Sequence, residues 1–232
     1  GEESDRDETF VRTLCDRYDI PLYVSSSPVT PGKKGLEAAA REARYGFFAT
    51  LPGKIATAHT ANDNAETVLL HLVRGTGLNG LGGIAPVRGN IIRPMLEVTR
   101  RDVQAFLQEH CLPHVEDSSN DTDDFLRNRL RHHVMPLLRA ENPSIAVGLS
   151  AAAQRVREDA QLLDELAAAV DPADVAALRA APAPLRRRAI EGFLRRNGFP
   201  EPTAEHIRQA EAVVFSDNPS ARITLGGLIL RR

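Results

Sequence analysis

The sequence predicts an α/β fold with a parallel sheet, followed by a mainly helical part, and three observations carry this. Before residue 125, short apolar stretches alternate with amphipathic helical stretches, at crossover lengths that suit parallel strands. The short apolar run at 54–58 ends in a crowd of polar groups, namely His59, Thr60, Asn62, Asp63, Asn64 and Glu66. In such sheets the carboxyl ends of strands are where ligands bind. From Ser144 the composition shifts to alanine and charge, with no further strand-like run until the closing residues.

In chain order, Ser4 is expected to cap a first helix over 5–18, with Phe10, Val11 and Leu14 on its inner face. Residues 20–24 read as a short strand. Residues 25–35 form a polar loop broken by Pro28, Pro31 and Gly32. Its Gly32-Lys33 fails the Walker pattern, since Ser27 stands at the first glycine position and Lys34 where Ser or Thr is required. Helix is expected over 36–50, then a buried strand at 54–58. A helix over 63–73 follows, with Val68, Leu69, Leu72 and Val73 at three-to-four spacing. Ile91-Ile92 adds an extended segment ended by Pro94. Thr99 caps a helix over 99–110, with Val103, Phe106 and Leu107 inward. After an Asp/Ser/Asn-rich turn at 117–121, helix is expected over 123–138 and a long one over about 144–170. Asp171-Pro172 and Pro182-Ala183-Pro184 break the pattern before helices over 185–197 and 203–215. Residues 222–231 read as a hairpin across Gly226-Gly227.

A net charge of -2 with 26% charged and 42% hydrophobic residues describes an ordinary core-forming chain. It neither requires nor excludes nucleic acid, because a local basic patch suffices. Two cysteines, Cys15 and Cys111, without a C-x-x-C, argue against a disulfide scaffold and for a reducing cytoplasm. No run is long and apolar enough for a membrane span, and no signal peptide opens the chain.

Asp63 and Glu66, three apart, put their carboxylates on one face of a first helical turn. Thr60 with Asp63 also reads as a capping box, which alone would explain the acid. The string His59-Thr60-Ala61-Asn62-Asp63-Asn64-Ala65-Glu66-Thr67, followed by Arg74-Gly75-Thr76-Gly77, resembles the tRNA(Ile)-lysidine synthetases of the PP-loop, or N-type ATP pyrophosphatase, family. The resemblance includes Gly35 to Tyr45 upstream. It resumes at Ile92-Arg93-Pro94-Met95-Leu96, at Glu116-Asp117-Ser118-Ser119-Asn120, and from Phe125 to His132. It covers roughly the first 140 residues in order.

The resemblance implies a Rossmann-like parallel sheet of the PP-loop ATPase type. It places an α/β catalytic domain at 1–125, a helical domain at 126–216 and the start of a further segment at 217–232. The implied reaction uses ATP and Mg²⁺ to adenylate the wobble cytidine of a minor isoleucine tRNA. Free lysine then attacks carbon 2 and expels AMP. Asp63 and Glu66 are expected to hold the lysine ammonium, whose pKa is about 10.4, and His59 to contact the nucleotide or the reacting base. Asp63 and Glu66 lying far from any cleft, or buried in pairs with structural arginines, would take the footing from this enzymatic assignment. Arg44 is expected on ATP or the activated intermediate, and Arg129 or Arg131 on lysine's carboxylate or the phosphates. The Arg74, Gly75, Thr76, Gly77 loop is expected at nucleotide or tRNA. On the residues alone, His59 also reads as a turn histidine, Arg44 as a solvated helix arginine and Arg74–Gly77 as a helix stop. Arg186-Arg187-Arg188 with Arg195-Arg196 are candidates for tRNA backbone contact. Metal ligands are not identifiable, and a homodimer is allowed.

Two departures stand out. No Ser-Gly-Gly-x-Asp-Ser phosphate loop occurs, so the chain is expected to be N-terminally incomplete and inactive alone. Asn62 stands where aspartate is frequent in the family. A cytidine 2-thiolation enzyme of the same PP-loop class and a non-catalytic tRNA-binding fragment are the alternative readings.

Overall fold

A computed structural model describes residues 2–26, 28–30, 36–115 and 122–232. The rejected Walker residues Ser27 and Gly32 to Lys34, and the motif Glu116 to Asn120, lie outside the described residues. The chain divides into two compact units, Gly1–Arg74 with Gly83–Ser150, and Gly75–Gly82 with Ala151–Arg232.

In the first unit, α1 (Glu2–Arg17) contains Ser4 rather than starting from it. Ser4 is therefore not the cap, and Val11 is exposed. The strand expected at 20–24 does not form: Ile20, Tyr23 and Val24 are exposed, and no described residue pairs with them in a ladder. An apolar run becomes a strand only where a ladder receives its N–H and C=O groups. α2 (Leu36–Thr50) leads to β1 (Ile55–Ala56) and α3 (Ala61–Val73). α4 (Leu78–Leu81), which falls in the second unit, precedes β2 (Val87–Arg88) and β3 (Ile91–Ile92). β1 pairs in parallel with β3, and β3 pairs antiparallel with β2, which the sequence did not suggest. The result is a small mixed sheet of order β1-β3-β2. α5 (Arg100–Glu109) is capped by Thr99 as expected, although Phe106 faces solvent.

The helix expected over 123–138 is interrupted. α6 (Leu126–Arg129) passes through a π turn, Leu130–Val134, into α7 (Met135–Glu141). Met135 N–H donates to the Leu130 carbonyl, one residue further back than in an α-helix. Pro136 follows, with no N–H to offer and a ring that crowds the preceding turn, and such positions commonly carry this irregularity. Met135, fully buried, packs with Ala65 and Ala146 to form the core of this unit.

Asn64, also fully buried, ties the unit together. Its Oδ1 accepts from Ile84 N at 2.7 Å and its Nδ2 donates to Ser150 Oγ at 2.8 Å, which donates to the Leu96 carbonyl at 3.2 Å. Gly83 is held at φ +64°, and a Cβ there would come within 2.3 Å of Asn64 Oδ1. Only glycine meets both conditions.

α8 (Ile145–Ala168) is the long alanine-rich helix, assigned to the first unit as far as Ser150. In the second unit α9 (Val175–Ala180), α10 (Ala183–Arg196) and α11 (Ala204–Phe215) surround a core of Leu178, Ile190, Leu194 and Val214, closed by Leu225. The hairpin of β4 (Arg222–Leu225) and β5 (Leu228–Arg231) turns at Gly226 and Gly227, both at positive φ, as a two-residue turn requires. Cys15 and Cys111 are free thiols, and among the described residues no helix is long and apolar enough to cross a membrane.

Candidate functional site

Where β1 ends, the chain passes through Thr57 to Thr60 into α3. Thr60 forms a capping box: its Oγ1 accepts from Asp63 N, while Asp63 Oδ2 accepts from Thr60 N and Oγ1, each at 2.8 Å. Capping thus accounts for one oxygen of Asp63. The other, Oδ1, accepts from Arg127 Nη2 at 3.0 Å and has Arg131 Nη2 at 3.9 Å. Burial opposes the charge on Asp63. The Thr60 hydrogen bonds and the Arg127 guanidinium outweigh it and hold the pKa below the ordinary carboxylate value.

Glu66, one turn on, is 3% exposed. Its Oε2 accepts from Arg127 Nε and Arg131 Nη2, both at 2.9 Å, and its Oε1 from Arg131 Nε at 2.7 Å. The hydrogen bonds that Arg131 donates to Glu66 lead the causes that raise its pKa. Two carboxylates therefore face two guanidiniums, and the four charges cancel. This differs from the expected pair of open acids waiting for an ammonium. Glu66 is taken up by its arginines, and Asp63 presents one oxygen that Arg127 already contacts.

His59 precedes the cap, half-buried, with Nδ1 2.9 Å from Thr57 Oγ1. Burial above all lowers its pKa; Asp63 pulls it up, and Arg93, Arg127 and Arg41 push it down. At neutral pH the imidazole is neutral.

Of the expected arginines, Arg131 reaches the cluster and Arg129 does not. Arg129 is exposed and donates to the carbonyls of Asp123 and Asp124 at 2.8 and 3.2 Å. Arg127, four residues before Arg131, takes the place expected for Arg129, and that spacing was the available signal. Arg44 is exposed on α2 and makes no side-chain bond to a described residue. Its neighbour Arg41 lies over the Tyr45 ring, and the Tyr45 hydroxyl also meets Arg93 Nη2 at 3.4 Å. Arg93 is 6% exposed, its Nη1 donates to the Ala85 carbonyl, and its buried Nε has no hydrogen-bond partner among the described residues. Sequence reasoning did not single out Arg41 or Arg93. Arg74 ends α3, Gly75 takes φ +73° and Gly77 precedes α4, so the loop has the geometry of a helix stop. The basic run on α10 is largely paired: Arg186 and Arg187 share Glu211, Arg188 meets Asp164 and Arg195 meets Glu191.

Two connected clefts open on this cluster. The smaller, about 190 Å³, is lined by Thr60, Asn62, Asp63, Glu66, Met95 and Arg131 among others. The larger, about 600 Å³, shares Asn62, Glu66, Arg100 and Arg131 with it and extends to Arg101, Arg139 and Val147. Asn62 Oδ1 accepts from Arg100 N at 2.8 Å, fixing the start of α5 against α3. No group of three metal-ligating side chains occurs among the described residues.

Residues 1–138 match the PP-loop domain model and residues 174–232 the TilS substrate binding domain model. The chain is 37% identical over 175 residues to the tRNA(Ile)-lysidine synthase of Bacteroides thetaiotaomicron, covering 72% of the chain and 41% of that protein. It is 35% identical over 257 residues to the tRNA(Ile)-lysidine synthase of Geobacillus kaustophilus, covering 97% of the chain and 54% of that protein. To the bifunctional protein TilS/HprT of Listeria monocytogenes it is 32% identical over 251 residues, 97% of the chain and 39% of that protein. The chain thus spans about half or less of the length of these relatives.

Proposed function

Because the chain belongs to the tRNA(Ile)-lysidine synthase family of PP-loop proteins, we propose that it serves the ATP-dependent joining of lysine to a minor isoleucine tRNA. ATP adenylates the oxygen on carbon 2 of the wobble cytidine, releasing pyrophosphate. The side-chain amine of free lysine, having lost a proton, attacks carbon 2, and AMP leaves. Residues 1–125, a Rossmann-like α/β domain, carry this chemistry together with Arg127 and Arg131, and the rest of the helical residues 126–216 and the segment 217–232 serve tRNA. The reaction is cytoplasmic, and a homodimer is the assembly to test by sedimentation.

The observation that carries this reading is the small cleft where α3 begins, with an ionised Asp63 on its wall and a neutral His59 beside it. Asp63 attracts the lysine ammonium through Oδ1. Its lowered pKa makes it a poor base, whereas neutral His59 is a better acceptor for the departing proton. Glu66 acts indirectly, fixing the Arg127 and Arg131 guanidiniums, which are placed to meet lysine's carboxylate or a phosphate. Arg44, unpaired on α2, and the Arg74–Gly77 loop contact ATP or tRNA. The described residues do not fit a protein-held metal site, so Mg²⁺ enters with the ATP phosphates.

The test is lysine-dependent AMP release, with lysine incorporation into an isoleucine tRNA transcript, by the intact protein. AMP release indifferent to lysine, or wild-type incorporation by Asp63→Asn, would refute the proposal.

A further inference from the structure

The larger cleft has a charge balance unlike any other surface described above. Its lining contains four arginines, Arg100, Arg101, Arg131 and Arg139, and two acids, Glu66 and Asp102. Both acids are already engaged. Glu66 is held by Arg127 and Arg131, and Asp102 Oδ2 accepts from Thr99 N and Oγ1 at 2.9 and 2.6 Å. Arg100, Arg101 and Arg139 are exposed, and none makes a side-chain hydrogen bond or ion pair with a described residue. Three guanidiniums thus face one groove without an ion pair to a described residue, whereas most of the basic run on α10 is matched to carboxylates. Arg101 does lie near enough to Asp102 to help the Thr99 hydrogen bonds hold its carboxyl below the ordinary value.

From this we infer that the cleft beside the start of α5 is a docking groove for the phosphodiester backbone of RNA, gripped by Arg100, Arg101 and Arg139. The lining has no aromatic ring on which a base could stack, so the groove takes backbone rather than bases. Exposed guanidiniums on a rim suit a polyanion whose bound counterions are released on contact. The groove shares four wall residues with the small cleft that holds Asp63. A strand with one nucleotide in the small cleft would lay its neighbouring phosphates here, which a mononucleotide could not do. This rests on the proposed function only for the choice of RNA.

The test is binding of an isoleucine tRNA transcript to the intact protein, without ATP or lysine, over a range of salt concentrations. In the triple variant Arg100→Gln, Arg101→Gln, Arg139→Gln, the slope of log affinity against log salt should fall by about 2 to 3. Arg139→Gln alone should lower it by about 0.7–0.9, which keeps the test valid if the triple variant folds poorly. Arg12→Gln, on an arginine of α1 paired with Glu8, should leave the slope unchanged. An unchanged slope in the groove variants, or no RNA binding by the wild type, would overturn the inference. So would competition by inorganic pyrophosphate that these variants abolish, since it would assign the groove to nucleotide phosphates. Loss of lysine incorporation with the slope change intact would count against the proposed function alone.

Discussion

Glu66→Gln isolates the charge of the buried cluster while keeping its shape. The wild-type carboxylate accepts three guanidinium hydrogen bonds, and its side chain is 4% exposed. Glutamine can accept on one oxygen only, and its NH₂ would confront guanidinium N–H groups. Removing one partner of a buried ion pair costs about 3–5 kcal/mol. Here Arg127 and Arg131 remain 29% and 15% exposed and keep Asp63 nearby, so water and that second acid recover part of the loss. The expected destabilisation is about 2–4 kcal/mol, or a fall in Tm of about 5–15 °C at 2–4 °C per kcal/mol. Urea denaturation of the intact protein, with thermal melting as a check, would measure it. Replacing Glu66, Arg127 and Arg131 together by leucine and methionines should recover only part of the loss, since it leaves the Asp63 carboxylate without its guanidinium partner. A Glu66→Gln variant within about 1 kcal/mol of wild type would show that the arginines do not depend on the acid.

Three further outcomes follow from the geometry. Asn64→Leu removes the side-chain acceptor of Ile84 N–H and the donor to Ser150 Oγ, which keeps its bond to the Leu96 carbonyl, and should cost about 1–3 kcal/mol in urea unfolding. Asp63 has a folded pKa below its unfolded value, so its stabilisation is complete above the unfolded value near 3.8 and is lost as pH falls through the folded one. Between pH 5 and 2.5, Asp63→Asn should therefore show a flatter dependence of Tm on pH than wild type. Arg44→Gln touches no packed group and should shift stability by less than about 0.5 kcal/mol. Kinetics should nevertheless show a kcat/KM for ATP reduced about tenfold or more, the scale of one charge-assisted contact.

What could be read in the sequence was local. The Thr60 and Thr99 caps, and the Gly226-Gly227 turn, depend on residues within a few positions of each other, and all three formed where expected. The ordered motifs identified the family because they record many positions at once. What failed depended on distant partners. Nothing near Glu66 announces that arginines 61 and 65 residues later will take both its oxygens. Residues 20–24 have the composition of a strand but no ladder neighbour. The choice between Arg127 and Arg129 turned on which face of α6 meets α3, a tertiary contact that local spacing does not record.

The widened turn at Leu130–Val134 lets one continuous segment satisfy two unlike demands. Upstream of it, Arg127 must point at the acids of α3; downstream, Met135 must fill the space beside Ala65 on that same helix. The i→i+5 turn holds one residue more than an α turn would between those two side chains, so excising one residue here would close it to an ordinary α turn and leave both near their places. Adding a further residue would instead turn the downstream side chains by about 100°. A one-residue insertion between 130 and 134 should accordingly be worse tolerated than a one-residue deletion there.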